Sequence, residues 1–239
     1  MQELINSLQD YTLNKTNITK FTNISQSNPK NKRVNVKKSE KVVKDNMSII
    51  PEDKDKLFWC FYILMEGEIE YNLLKANRFK IENEMKYKIA GDYKKYKHLF
   101  KPFKISKDDF HNFLINEKEI DIRVFFVLCV FNEINIIYLY KNFYFDNIID
   151  DDKKVNVIFR NDSHNGSIHY IDSSNLYTLE YVSNNCCRMY SLIKRLKTIS
   201  SFTVAELQQT AIKIGIDIKK NDKNKTKTVL YNDIITYLG

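Results

Sequence analysis

Three side chains in this chain could together perform thiol chemistry: Cys60, His169 and Asp172. A cysteine attacks only as the thiolate. It needs an imidazole within hydrogen-bond reach, and a helix N-terminus to lower its pKa. Asp172 could orient the ring of His169. Cys60, however, lies in the apolar run Leu57–Met65, two turns inside a helix that starts near Asp53, where apolar neighbours hold a thiol neutral. A second set could do electrostatic chemistry: Lys219, Lys220, Lys223, Lys225 and Lys227 surround a helix start at Thr226. Ammonium groups and free first-turn N–H groups are what a phosphate backbone seeks. His164, His169 and Asp162 do not mark a metal site, because histidines on opposite sides of a hairpin turn seldom converge on one ion. No metal or other cofactor is expected. Asp150-Asp151-Asp152 is a solvated acidic loop, and no P-loop, GxGxxG, HExxH or GxSxG motif occurs.

Elements must position these groups. Pro51-Glu52-Asp53 favours a helix start, and Leu57–Met65 is apolar all round, the mark of a buried helix that Gly67 ends. Residues 68–100 carry apolar residues at helical spacing on a charged background, predicting one or two surface helices. Ser106 with Asp109 forms a capping pair, and Asp121 opens a further helix through Val124, Leu128 and Phe131. The period then changes. Ile134–Tyr140, Phe143–Phe145, Val155–Phe159, Ser167–Ile171 and Leu176–Val182 are predicted as strands of a meander, with a turn at Lys141-Asn142 and others at Asn165-Gly166 and 173–175. Residues 186–197 are predicted as a connecting helix. Thr203 and Glu206 then form a capping box flanked by Phe202 and Leu207, Gly215 ends that helix, and Leu230, Ile234 and Leu238 line the next.

The expected fold is therefore α+β: a helical N-terminal half, an antiparallel β-meander, and a small C-terminal helix–loop–helix module. The expected divisions are a short amphipathic helix (1–14), a disordered basic linker (15–46), an α+β body (47–183), a connecting helix (184–199) and the module (200–239).

Charge sharpens this division. The whole chain of 239 residues carries a net +8. Residues 15–46 hold nine Lys or Arg against two acids, and 192–239 hold nine against four, while 47–191 is slightly acidic at −2. Lys30, Lys32, Arg33, Lys37, Lys38 and Lys41 form the basic arm within the linker. Excess positive charge gathered in two appendages is the footprint of a polyanion binder. The four cysteines form no CxxC pair, which reads as a reduced, intracellular protein. The longest apolar runs are too short to span a bilayer, and Met1–Leu13 lacks the basic start of a signal peptide.

Thr203-Val204-Ala205-Glu206-Leu207, Ile214-Gly215-Ile216, Lys225-Thr226-Lys227 and Leu230-Tyr231 resemble the SAP and Rho-N-like helix–loop–helix modules. Leu196–Phe202 running into this module resembles the C-terminal tails of proteins from nucleocytoplasmic large DNA viruses. The resemblance implies DNA binding through the loop and the start of the second helix, and a place in the virion or the viral factory. The loop here is longer and more polar than in compact SAP motifs. His169-Tyr170, following a helix that carries Cys60, resembles the papain-like thiol peptidases of the ovarian-tumour deubiquitinase type, although Phe58-Trp59 replace the family's glycine or asparagine before the nucleophile.

The leading expectation is a non-enzymatic viral DNA-binding protein with weak sequence preference, with viral structural or transcription proteins as further partners. Two alternatives stand beside it. One is a thiol peptidase of the deubiquitinase type with a targeting module. The other is a virion scaffold that meets acidic capsid proteins.

Overall fold

The computed structural model describes residues 48–163, 166–220 and 222–238. The N-terminal helix and the basic arm lie outside these residues, as do His164 and Asn165.

The helical layer comes first in the chain after a short strand, β1 (Ser48–Ile49). Its centre is α1 (Lys56–Glu66), whose residues Leu57 to Ile63 are all buried. The N-cap is Asp55, two residues later than the Pro51-Glu52-Asp53 signal suggested, and its carboxylate accepts from the Phe58 N–H at 3.0 Å. Gly67 ends the helix at φ 97, a left-handed value that a side chain would strain. The surface helices α2 (Glu68–Leu74), α3 (Arg78–Gly91), α4 (Tyr93–Tyr96) and α5 (Phe100–Phe103) follow. The predicted caps at Ser106 and Asp121 then open α6 (Lys107–Ile115) and α7 (Ile122–Phe131), the first through a complete capping box.

The α+β class holds, but the sheet is mixed rather than a plain antiparallel meander. Strands β2 (Asn135–Tyr140), β3 (Phe143–Asn147), β4 (Val155–Ser163) and β5 (Gly166–Asp172) are joined by β6 (Cys187–Arg188) in the order β1-β5-β4-β2-β3-β6. β2 and β4 are parallel, as are β3 and β6. Asn135 explains the crossing between β3 and β4. This buried side chain accepts from the N–H groups of Ile149 (2.8 Å) and Asp150 (3.2 Å) and donates to the Asp150 and Lys153 carbonyls. It thereby fixes the loop that carries the chain past β2.

Two further expectations are corrected. Leu176–Val182 is not a strand: Thr178 caps a helix, α8 (Leu179–Asn185), by accepting from the Tyr181 N–H. Residues 186–197 are not a connecting helix. Their N–H groups are committed elsewhere, Cys187 to the Asn142 carbonyl and Met189 to the Tyr144 carbonyl, so the segment extends the sheet. It then turns back on itself, with Tyr190 N–H donating to the Arg195 carbonyl and Ser191 N–H to that of Lys194.

The C-terminal pair forms as expected. Thr203 and Glu206 cap α9 (Val204–Lys213) reciprocally, and Gly215 turns at φ 76. A small hairpin of β7 (Lys219–Lys220) and β8 (Lys223–Asn224) leads into α10 (Lys227–Leu238), which buries Leu230, Ile234 and Leu238. These residues share one hydrophobic core with α1, α7 and one sheet face. The pair is thus packed into the body rather than hung from it, and the described residues, from Ser48 on, belong to one compact unit. The other sheet face holds a smaller core, Ile137, Leu139, Tyr144 and Val157 under Val182 of α8.

Candidate functional site

The thiol set is not assembled for catalysis. Cys60 is fully buried in α1, and burial pushes its thiol far above its ordinary value. The same holds for Cys129 on α7. His169 is 5% exposed on β5, with its ring stacked on that of Tyr138 at 6.1 Å. Burial, followed by the Arg160 guanidinium, pushes the imidazole down to about 4. Asp172 cannot orient it. Side chains alternate along a strand, so residues three apart face opposite sides. Asp172 lies in register with Val157 of the smaller core, while His169 is paired with Arg160 on the other face. The Asp172 carboxylate instead accepts from Ser174 Oγ at 2.8 Å.

His169 belongs to a polar row that crosses the sheet, Tyr140–Arg160–His169. Tyr140 Oη donates to Asp162 at 2.6 Å, and Arg160 Nε and Ser167 Oγ donate to the same carboxylate. Burial opposes ionisation of Asp162, but these hydrogen bonds outweigh it and hold the carboxyl well below its ordinary range. The guanidinium of Arg195 lies 4.3 Å from the Tyr140 ring centre, and its Nη1 donates to the Leu238 carbonyl at 2.8 Å. Lys141 Nζ donates to the Tyr237 carbonyl. Two cations therefore cap the C-terminal end of α10, where unpaired carbonyls and the helix dipole favour positive charge. This cluster docks a helix on a sheet. Among the described residues, no group of His, Cys, Asp and Glu could hold a metal ion.

The lysine set divides. Lys225 is not free for a ligand: its Nζ donates to Asp233 at 2.8 Å, its side chain is 13% exposed, and its N–H is bonded to the Ile218 carbonyl. It ties the loop to α10. Lys219, Lys220 and Lys223 stand exposed on the β7–β8 hairpin. Lys220 is directly opposite Lys223. Among the described residues no carboxylate oxygen lies within 4 Å of Lys219, Lys220, Lys223 or Lys227. Thr226 precedes α10 and is exposed, with its Oγ1 accepting from the Val229 N–H at 3.4 Å. Sequence spacing alone could have found the Lys225–Asp233 pair only with the hairpin's fold in hand, since the two residues are eight apart.

Comparison with family models, with curated proteins and with solved structures finds no match. No helix among the described residues is long and apolar enough to cross a membrane.

Proposed function

We infer that this protein is a non-enzymatic binder of DNA, gripping the phosphate backbone with Lys219, Lys220, Lys223 and Lys227. The N–H groups at the start of α10, beside Thr226, add to that grip. The observation that carries the reading is the Lys220–Lys223 pair. Like charges directly opposite each other destabilise a hairpin, and no acidic side chain within ion-pair reach offsets these two among the described residues. A bound polyanion would. Contacts of this kind read no bases, so weak sequence preference follows. The setting proposed is a large DNA virus, in the virion or in replication and transcription.

The test is a salt titration of binding to a labelled duplex. The double variant Lys220→Gln/Lys223→Gln is expected to reduce the slope of log affinity against log salt by about two. An unchanged slope and affinity would refute the assignment. Deleting 200–239 is a poorer test, because Leu207, Leu230 and Ile234 are part of the main core. Lys225→Met serves as a control that weakens folding while leaving the slope in place.

A further inference from the structure

A groove of about 710 Å³ opens between the β3–β6 edge and α9, and both ends of the Tyr190–Arg195 turn line it. Four cations line it, Arg188, Arg195, Lys197 and Lys213, against one carboxylate, that of Glu206. Two of the cations are occupied: Arg188 makes a two-pronged bond to Asp146, and Arg195 holds the end of α10. Lys213 donates to the Ser183 and Cys186 carbonyls, which leaves its charge uncancelled. Lys197 has no carboxylate within 4 Å among the described residues; the Glu206 carboxylate, hydrogen-bonded to the Thr203 N–H, attracts it only at longer range. Tyr190, which also lines the groove, is 54% exposed, and Lys197 Nζ lies over its ring at 5.7 Å from the centre. The turn beneath it is fixed by two backbone hydrogen bonds, of 2.9 and 3.0 Å.

An exposed aromatic ring on a cationic groove is the arrangement that holds an unpaired nucleic-acid strand, because every base has a face to stack and every linkage a charge to neutralise. The volume falls in the range of small-molecule sites and admits about one or two nucleotides rather than a duplex. We propose that this groove is a single-strand subsite, in which a base stacks on Tyr190 and the flanking phosphates meet Lys197 and Lys213. The proposal deepens the polyanion reading and rests on it, but its residues are separate from the hairpin lysines, so either can fail alone.

The experiment uses the full chain and two labelled probes, a short oligothymidine and a duplex, read by fluorescence anisotropy. Tyr190→Ala is expected to weaken oligothymidine binding about five- to tenfold and to leave duplex binding within about twofold. Tyr190→Phe keeps the stacking face and is expected to bind like the native chain. Lys197→Gln, an exposed substitution, provides a second route to the same loss and lowers the salt slope for oligothymidine by about one. The hairpin double variant is expected to weaken duplex binding, with the salt slope lower by about two, and to retain oligothymidine. The subsite is overturned if Tyr190→Ala and Lys197→Gln both bind oligothymidine as the native chain does. It is also overturned if Tyr190→Phe is as weak as Tyr190→Ala, or if an acidic peptide displaces oligothymidine at lower concentration than unlabelled oligothymidine does. Weakened duplex binding by the hairpin variant together with intact groove behaviour supports both readings. Intact duplex binding in that variant sinks the hairpin alone.

Discussion

A thiol reacts in proportion to its thiolate, and a thiolate needs solvent or a cation. Cys60 and Cys129 are both sealed in the main core, and on Cys60 burial outweighs the pull of the Lys56 ammonium. Cys186 and Cys187 are only partly buried, and Lys213 partly offsets the upward push of burial on each. Iodoacetamide labelling of the native chain, followed by mass spectrometry, should therefore modify Cys186 and Cys187 well before Cys60 and Cys129. Equal labelling of Cys60 would revive the peptidase reading. His169 makes a second residue-scale prediction. Its folded value of about 4 lies below the ordinary 6.5, so between these limits the unfolded chain binds the proton that the folded chain refuses. The stability it supports is complete above pH 6.5 and is lost as pH falls towards 4, by up to about 3 kcal/mol. Urea midpoints measured across that window should fall steeply for the native chain and less steeply for His169→Gln. Parallel curves would show that the imidazole is not the group responsible. The sequence pointed to His169 as a reactive residue. It could not show that the residue faces a guanidinium, because register across β2, β4 and β5 is a long-range property.

At the scale of elements, caps were the most legible feature. Ser106 with Asp109, Asp121, and Thr203 with Glu206 each open a helix where expected, since a cap is a contact among residues three or fewer apart. The segment 186–197 shows the opposite case. Met189, Leu192, Ile193 and Leu196 have helical spacing, yet Ile193 is 56% exposed while Met189 and Leu196 are buried. The carbonyls of Asn142 and Tyr144 claim this segment's N–H groups, a competition that no local pattern records. Asp55 was also missed as a cap. Its carboxylate accepts from Phe58 N–H, from Lys86 Nζ at 2.6 Å and from Ile120 N–H at 2.9 Å, all in a buried site. Burial lifts its carboxyl above the ordinary value against the pull of Lys86. Asp55→Ala strands the Phe58 and Ile120 N–H groups and leaves Lys86 paired with Glu82 at 2.6 Å, and should cost about 2–5 kcal/mol in urea unfolding. A loss below about 1 kcal/mol would mean that water reaches the site.

For the whole molecule, the main correction is that the C-terminal helices are not a detachable module. Leu207, Ala211, Leu230 and Ile234 share a core with Trp59, the chain's single tryptophan. Leu230→Ala should cost about 2–5 kcal/mol and shift the Trp59 fluorescence transition by the same amount as the circular dichroism transition. An unmoved Trp59 transition would restore the two-part organisation suggested by the charge distribution. Composition could separate basic from neutral stretches, but it could not tell whether they pack together, because packing is carried by the apolar residues that both stretches contain. The Asp55 carboxylate has a further consequence for descent. Three stretches of chain, at Phe58, Lys86 and Ile120, lean on one side chain, so a lineage that lost the aspartate would have to rebuild a helix start and a loop in the same stroke. Kindred sequences should hold the aspartate even where the lysine is exchanged, because Lys86 has a second carboxylate in Glu82 and the two N–H groups depend on Asp55.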